Sequence, residues 1–350
     1  MKSCLRSMFY TILGLRYPIK VSIEYEHAIH LLQHIGPSKD CSCFCQNKLS
    51  TDYDLHIIIP VYNASAYIVE CLDSIFSQQS TYTFFVSIVN DGSTDDSARL
   101  LQEYIHQLEG TPFSGCVELI HQSNQGPANA RNRALAHIRG RYLTFVDSDD
   151  KLMPGAINAL MHAIISEEAD IAEGKTQRGS AYGFPWGKVY KSELFQNLHF
   201  PSGYLFEDTI NIFFLYPLSR KTIQVPGMHY FYRENPNSIL HTFKGTTQVI
   251  DSLWVSKQVL EDYFSLGHAP TPQLFTDFLR DVTTTALHFK SLRNENYFQA
   301  LFVIHQQMII KYFATFRDEL DRCSPQLRKI ASALFSDNYR SYRTTINLCK

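Results

Sequence analysis

The sequence has no uninterrupted apolar run that approaches the roughly 18 residues needed for a membrane-spanning helix. Residues 5–15 form a short apolar stretch without the small-residue cleavage site of a secretory signal, so we expect no signal peptide there. The formal net charge is only -2, which offers no electrostatic basis for nucleic-acid binding. These absences argue against a membrane-spanning protein, a secreted protein and a partner made of nucleic acid.

The cysteines do not form the regular disulfide framework of a small secreted domain. Cys71 falls within an apolar helical pattern, which is typical of a buried thiol. Cys41, Cys43 and Cys45 alternate along the chain without the paired spacing of zinc sites. We therefore predict a reducing, cytoplasmic environment and a plain linker around these three cysteines.

What is present is the composition of a globular protein of about two domains, with 45% hydrophobic residues in 350. We predict an N-terminal extension and linker at 1–52, a main domain at 53–245 and a helical C-terminal region at 246–350. Basic and apolar residues mix in the first 20 positions. That mixture favours either contact with an anionic membrane surface or a helix that packs against the body of the protein.

Strand and helix patterns alternate from residue 54 onward. Four short apolar runs predict strands: Leu55–Val61, Thr83–Val89, Val117–Ile120 and Tyr142–Val146. Helical patterns separate them, and one of these places Ile68, Cys71, Leu72, Ile75 and Phe76 on one face. This order predicts an α/β fold with a mainly parallel sheet that binds ligands at its carboxyl edge.

Helix starts and the later elements are predicted from local signals. Asn63 is expected to cap the helix after the first strand, Ser93 with Asp96 resembles a capping box, and the helix after Gly126 is expected to end near Gly140. The remaining predictions are strands at Ala169–Glu173, Thr222–Val225 and Met228–Tyr232, and helices at Thr209–Leu218, 248–266, 273–290, 295–316 and 325–336.

Two carboxylates end the fourth predicted strand. Asp147 and Asp149 lie two positions apart, so both can bind one hard divalent cation. Such a cation has further coordination positions that phosphate oxygens can occupy. The alternative is that these acids cap the next helix.

Five motifs occur in one order along the chain: PVYNASAYIVECLDSIFSQ, VNDGSTDDS, NQGPANARNRAL, FVDSDD and FEDT. Together they resemble a family 2 glycosyltransferase of the bacterial capsule, exopolysaccharide or lipopolysaccharide type, over roughly residues 54–242. The resemblance implies a GT-A fold, which is a Rossmann-like, mainly parallel sheet flanked by helices, here with a helical C-terminal region.

The resemblance also implies the donor site. Its residues would be Pro60, Tyr62, Asn63, Asp91, Gly126, Arg131, Asp147 and Ser148. Asp91 would accept a hydrogen bond from the uracil N–H, or alternatively would be a turn residue before Gly92. Arg131 would contact the diphosphate, whereas Arg133 is expected at the surface or in an ion pair.

The metal site implied by the resemblance holds Mn²⁺ or Mg²⁺. Asp149 and Asp147 form the D-x-D motif, and Asp150 is expected to support them rather than to bind the ion. His241 is a further candidate ligand, with His229 as the second choice, although a lone histidine is more often structural.

The catalytic pair implied by the resemblance is Glu207 and Asp208. Asp208 would take the proton of the acceptor hydroxyl, and Glu207 would bind sugar hydroxyls. Alternatively, both acids simply favour the start of a helix. Trp186 and Lys188, within a W-G-K-x-Y segment, are candidate substrate residues, with plain packing as the alternative for Trp186.

The expected function is inverting transfer of a hexose or N-acetylhexosamine from a UDP-sugar to a glycan or lipid-linked glycan acceptor. The enzyme would be cytoplasmic, with peripheral contact at the inner membrane face as a further expectation. One alternative is a catalytically silent sugar-nucleotide-binding protein, which would not need the retained acids. Another is a nucleotidyltransferase, which normally shows a Gly- and Lys/Arg-rich phosphate loop where this chain reads PVYNASAY.

Overall fold

The computed structural model describes residues 16–39, 41–235, 243 and 245–349. Contacts divide this part of the chain into a sheet unit, residues 41–235, and a helical unit, residues 16–39 with 243 and 245–349. The division predicted from the sequence, 1–52, 53–245 and 246–350, stays a prediction. Within the structure, residues 16–39 group with the helical unit and 41–52 with the sheet unit.

One mixed sheet runs through the sheet unit. Its strands among the described residues are β1 (Lys48–Val61), β2 (Phe84–Asp91), β3 (Val117–Gln122), β4 (His137–Phe145), β5 (Lys151–Leu152), β6 (Ile171–Thr176), β7 (Gly179–Ser180), β8 (Lys188–Lys191) and β9 (Thr222–Phe231). Their order is β3-β2-β1-β4-β8-β6-β9-β5, and β7 pairs with β6. β1, β2, β3 and β4 are parallel as predicted, whereas β8 is antiparallel to both β4 and β6.

The helices of the described residues are α1 (Tyr25–Ile35), α2 (Ile68–Phe76), α3 (Ser97–Gln107), α4 (Pro127–Leu135), α5 (Ala156–Ser166), α6 (Tyr216–Leu218), α7 (Asp251–Ser265), α8 (Pro272–Lys290), α9 (Glu295–Phe313), α10 (Pro325–Phe335) and α11 (Tyr339–Leu348). Short 3₁₀ turns lie at Ser192–Phe195, Thr247–Ile250 and Ala314–Arg322, and a π-helical turn lies at Asn211–Leu215.

The parallel half of the sheet forms the predicted core. The carboxyl half of β1, residues 55–61, is fully buried, and the apolar face predicted for α2 is buried against it. The register pairs Val61 with Asn90 and Asp91 with Gln122, while Ile58 pairs with Phe145. The carboxyl ends of these strands therefore meet at one edge, where Asp91 is the last residue of β2 and Asp147 lies two residues after β4.

Both predicted helix caps are wrong. Asn63 has a positive φ of 49°, and its side-chain oxygen accepts the N–H of Thr94, 2.8 Å away, so it joins the loops after β1 and β2. At α3 the partner is Asp95, whose carboxylate accepts the N–H groups of Ser97 and Ser65, each at 3.0 Å. Burial alone would raise the pKa of Asp95, but these hydrogen bonds outweigh it and lower the pKa to about 2.

Two element boundaries also differ from prediction. α4 ends at Leu135 rather than near Gly140, because residues from His137 onward pair with the long first half of β1. The two strands predicted between residues 222 and 232 are the single strand β9. The helix predicted at Thr209–Leu218 is confirmed, with a π-helical turn at Asn211–Leu215 in its middle.

In the helical unit, α1 packs against α9. Trp254 donates from Nε1 to the carbonyl oxygen of Gly36 at 2.6 Å, and Lys39 lies 2.9 Å from the Asp251 carboxylate. The apolar and basic residues of positions 1–15 lie outside the described residues. None of the helices that the structure describes has both the length and the apolar content to span a membrane.

Candidate functional site

Arg131 joins the two acidic motifs predicted from the sequence. It lies on α4 and is 4% exposed. One guanidinium nitrogen donates to Asp147 Oδ1 at 2.8 Å, and another donates to Glu207 Oε1 at 2.6 Å. Burial opposes its charge, but the two carboxylates keep the pKa of Arg131 above its usual value. The D-x-D acids and the Glu207–Asp208 pair therefore belong to one site, 60 residues apart along the chain.

The D-x-D loop is held in place by Tyr230 of β9 and by Arg233, which follows that strand. The Asp147 N–H donates to the Tyr230 hydroxyl at 3.0 Å, and that hydroxyl donates to Asp150 Oδ2 at 2.8 Å. Arg233 donates its backbone N–H to Asp150 Oδ1 at 2.7 Å and its Nε–H to the carbonyl oxygen of Asp149 at 2.7 Å. Asp150, which is 1% exposed, thus supports the loop, as predicted for it.

Negative charge accumulates at this loop. Burial, followed by the charge of Asp147, raises the pKa of Asp149 and raises that of Asp150 to about 8. Asn235 donates to Asp149 Oδ2 at 2.8 Å, and this bond opposes the shift. A bound cation would relieve the same repulsion.

The carboxylate oxygens of Asp147 and Asp149 are suitable ligands for a hard divalent ion. Asp149 is half-buried and Asp147 is 26% exposed through its side chain, so carboxylate oxygens reach the surface. No group of three or more His, Cys, Asp or Glu side chains with metal-site geometry occurs among the described residues. Mg²⁺ commonly binds one or two carboxylates together with substrate phosphates, so two aspartates suffice for such an ion.

The candidate histidines add nothing to this set in the described part of the chain. His229 is 8% exposed, and its Nε2 lies 3.0 Å from the carbonyl oxygen of Pro226. His241 lies outside the described residues.

Unlike Asp147 and Glu207, Asp208 forms no ion pair with any residue that the structure describes. Phe206 holds the turn before it with a positive φ of 67°, which is unusual for an aromatic residue. No side chain among the residues described in the structure donates a hydrogen bond to the half-buried Asp208 carboxylate. Burial and then the charge of Glu207 raise the pKa of Asp208 to about 7, while Arg131 opposes the rise. A carboxylate with such a pKa is suited to accept a proton near neutral pH.

Asp91 organises the loop ahead of α4. It is 2% exposed, and its Oδ1 accepts the Gln122 side-chain amide at 2.8 Å and the Gln125 N–H at 2.9 Å. Its Oδ2 accepts the Gly126 N–H at 2.8 Å. Asp91 is therefore more than a turn residue, since it sets the start of the helix that carries Arg131. One lone pair remains on Oδ2 for a ligand donor.

The other residues predicted to bind the donor nucleotide differ in how far their side chains are exposed. Pro60 is buried inside β1, and Ser148 is half-buried beside the D-x-D acids. Tyr62 is 48% exposed at the same edge of the sheet. Of the predicted contacts with the base, Tyr62 thus presents a ring to solvent, whereas Asn63 is occupied in joining two loops.

Lys188 and Trp186 lie in the interior. The Lys188 ammonium is fully buried and donates to the carbonyl oxygen of Ala181 and to the Tyr216 hydroxyl, both at 2.7 Å. It also pairs with Glu173 at 3.3 Å, and burial lowers its pKa to about 8. Trp186 is 5% exposed. Their placement favours structural roles for both.

Sequence reasoning missed Tyr230, whose hydroxyl connects Asp147 and Asp150. It also missed Phe184, which is 39% exposed and stacks on Trp186. For Tyr230 the available signal is the aromatic pair Tyr230 and Phe231 at the end of β9, and that pattern does not distinguish a core tyrosine from one that supports a site.

Comparisons with known proteins agree with this geometry. Residues 56–220 match the family model described as Glycosyl transferase family 2. Glycosyltransferase GlyA of Streptococcus pneumoniae serotype 4 is 32% identical over 227 residues, which cover 54% of this chain and 32% of GlyA. The chain thus spans about a third of the length of that relative.

Two solved structures share the architecture. TarS 1-349 of S. aureus in complex with UDP-GlcNAc is 18% identical, with a TM-score of 0.55 over 84% of this chain and 90% of that one. The mannosyltransferase PcManGT of Pyrobaculum calidifontis, in complex with GDP-Man and Mn2+, is 16% identical, with a TM-score of 0.51 over 98% of this chain and 95% of that one. These likenesses concern the fold and confirm the predicted GT-A architecture. Residues 56–220 thus form a region that matches glycosyl transferase family 2.

Proposed function

We propose that the chain is an inverting glycosyltransferase that moves a hexose or N-acetylhexosamine from a UDP-sugar to a glycan acceptor. The observation that carries this proposal is the Arg131 bridge, which brings Asp147 and Glu207 into one site. Asp208 lies close enough for Arg131 to influence its pKa, and no side chain of the described residues donates a hydrogen bond to its carboxylate. A site for binding alone does not require such a carboxylate.

Asp208 acts as the general base. The acceptor hydroxyl gives its proton to Asp208 while its oxygen attacks the anomeric carbon from the face opposite the diphosphate, so the configuration inverts. A pKa of about 7 lets the carboxylate be ionised and still basic near neutral pH. Glu207, fixed by Arg131, binds sugar hydroxyls and keeps Asp208 in place.

The donor nucleotide lies along the carboxyl edge of the sheet. Tyr62 covers the base, and the remaining lone pair of Asp91 Oδ2 accepts the uracil N–H. This contact favours uridine, because a buried acceptor left unpaired costs about 1–3 kcal/mol. The UDP-GlcNAc named with TarS supports the choice of donor class.

Asp149 and Asp147 would hold Mn²⁺ or Mg²⁺. When bound, the ion neutralises the charge that grows on the leaving group. In this arrangement Arg131 orients Asp147 by donating to its carboxylate, and its contact with the diphosphate stays a prediction. The Mn2+ named with PcManGT supports a divalent ion.

The acceptor that we propose is lipid-linked, and the site of action is the cytoplasm or the inner face of the cell membrane. The support is that the motifs resemble those of glycosyltransferases that make bacterial surface polysaccharides. Such enzymes are expected to use acceptors at that membrane face.

The test is a calorimetric screen of UDP- and GDP-sugars with and without Mn²⁺, on the wild-type chain and on Asp149→Ala. We expect one UDP-sugar to bind in a manner that depends on the metal, and Asp149→Ala to lose that dependence. Binding of GDP-sugars alone would contradict the uridine assignment. Absence of any nucleotide binding by folded protein would contradict the transferase itself.

A further inference from the structure

A stack of aromatic rings leads from the D-x-D loop to the surface. Phe184 and Trp186 stack with ring centroids 4.6 Å apart and planes 9° apart. Trp186 in turn stacks on Tyr230 at 4.9 Å and on Tyr232 at 5.1 Å. Phe184 is the most exposed ring of the stack at 39%, whereas Trp186 is 5% exposed and Tyr232 is half-buried.

The inner end of this stack is fixed to the D-x-D loop. The Tyr230 hydroxyl accepts the Asp147 N–H at 3.0 Å and donates to Asp150 at 2.8 Å. The Phe184 ring is therefore separated from the acidic loop by the rings of Trp186 and Tyr230. A ligand on Phe184 would lie beside the reaction site and not within it.

The loop that carries Phe184 is also tied to the segment of the catalytic base. The Tyr190 hydroxyl donates to Asn211 Oδ1 at 2.7 Å and lies 3.1 Å from the carbonyl oxygen of Pro185. Asn211 donates from its side chain to the carbonyl oxygen of Asp208 at 2.9 Å. The ring is thus held in a fixed position relative to both acidic segments.

We propose that Phe184 forms an acceptor subsite that stacks against a sugar residue beyond the one that reacts, so the acceptor is an oligosaccharide and not a monosaccharide. The inference rests on the proposed function. The flat apolar face of a pyranose ring matches an exposed phenyl face that is backed by a rigid second ring, because little side-chain freedom is lost on binding. Trp186, the residue that the sequence pointed to, then supports this platform from beneath.

Binding is tested first, with tryptophan emission as the readout. The chain has two tryptophans, so Trp254→Phe leaves Trp186 as the only emitter, directly against Phe184. Chitotriose and maltotriose are titrated beside N-acetylglucosamine and glucose. We expect at least one trisaccharide to change the emission with an affinity about five- to tenfold above that of its monosaccharide, which is the contribution expected from stacking of one ring.

Variants of Phe184 in the same background distinguish the stacking face from general apolar contact. Phe184→Tyr keeps the ring and should bind the trisaccharide like the parent. Phe184→Leu keeps an apolar contact with Trp186 but has no flat face, and it should lose about five- to tenfold in affinity, as should Phe184→Ala. Ile165→Ala, which removes a side chain of similar exposure (42%) from α5, is the control and should change nothing.

Two results overturn the proposal. One is the absence of trisaccharide binding by folded protein; the other is binding that Phe184→Leu and Phe184→Ala leave unchanged. Calorimetry with the UDP-sugar in the same samples separates this outcome from failure of the proposed function. Donor binding without trisaccharide binding contradicts the subsite alone, whereas trisaccharide binding that depends on Phe184 without any donor binding contradicts the transferase.

Transfer kinetics give a second readout. With a trisaccharide acceptor, Phe184→Leu should raise KM about five- to tenfold and leave kcat unchanged, and with the monosaccharide it should change neither. An equal fall of kcat with both acceptors would show that Phe184 only maintains the loop, and would contradict the subsite.

Discussion

Asp208 carries a cost in stability that can be measured. Its pKa in the folded chain is about 7 against an ordinary value of 3.8, so the folded state binds the proton more tightly than the unfolded state. Stability from this group is therefore present at low pH and is lost as the pH rises from about 4 to about 7. Asp208→Asn should increase the free energy of unfolding by about 2 kcal/mol at pH 8 and much less at pH 4.

Urea unfolding of both proteins at the two pH values checks this expectation. Equal stability of wild type and Asp208→Asn at pH 8 would contradict the raised pKa of Asp208. A carboxylate with an ordinary pKa is already ionised at pH 5, so the difference in unfolding free energy between the two proteins would not change from pH 5 to pH 8.

Arg131 contributes to stability and sets the pH response of the site. Arg131→Met leaves Asp147 and Glu207 without their cation, and we expect a loss of about 3–5 kcal/mol in unfolding free energy. Where the variant folds, the pH at which transfer reaches half its maximum should move upward, since Arg131 opposes the rise in the pKa of Asp208.

The matched control for Arg131 is Arg99→Met. Arg99 pairs with Glu103 at 2.8 Å, but both side chains are more than half exposed. Loss of such a pair changes stability by about 0–1 kcal/mol. Similar losses in the two variants would show that burial of the Arg131 bridge has no special weight.

At the scale of elements, the loops at the carboxyl edge of the sheet are packed closely together. Gly92, directly after β2, has a φ of 70°, and a Cβ added there would lie 2.7 Å from the Asn124 backbone nitrogen. Gly92→Ala should therefore displace the loop that Asp91 holds. We expect UDP-sugar affinity to fall about tenfold, measured by calorimetry.

Gly155 separates this effect from backbone strain. Its φ of 78° is similar, but no atom lies within 4 Å of an added Cβ. Gly155→Ala should lose about 1–2 kcal/mol of stability, as any side chain at such a φ does, and should keep donor affinity. Equal affinity losses in both variants would mean that strain and not the clash with Asn124 disturbs the site.

The elements that sequence predicted well are those that depend on periodic burial. β1 and α2 followed from an apolar run and from three- and four-residue spacing, because each packs one face into the same core. The caps of α2 and α3 were missed because Asn63 and Asp95 bond to loops about 30 residues away, which local cap rules do not consider. The end of α4 was missed because pairing with β1 outweighs helix propensity after Leu135.

The candidate site shows the same division between motif and burial. The motifs pointed to Asp147, Asp149, Glu207 and Asp208 as site residues, and the structure brings their segments together through Arg131. A motif does not reveal which of its residues lie beneath the surface. Lys188 is buried by contacts with Glu173 and Tyr216, whose positions follow from the tertiary fold alone.

At the scale of the whole molecule, the family match and the acids of the site both fall within the sheet unit. The helical unit lies outside residues 56–220. Neither the motifs nor the family match therefore indicates what this unit contributes to the choice of acceptor. The central claim therefore concerns the sheet unit: its site transfers a sugar and does not merely bind one.

The most direct measurement compares donor binding with donor turnover in wild type and Asp208→Asn. Calorimetry measures binding of the UDP-sugar with Mn²⁺, and release of UDP measures turnover. We predict unchanged binding and a turnover that falls by about 10²–10⁴-fold, the usual contribution of a general base. Turnover equal to that of wild type would contradict Asp208 as the base, and no turnover by either protein despite tight binding would identify a silent nucleotide-sugar-binding protein.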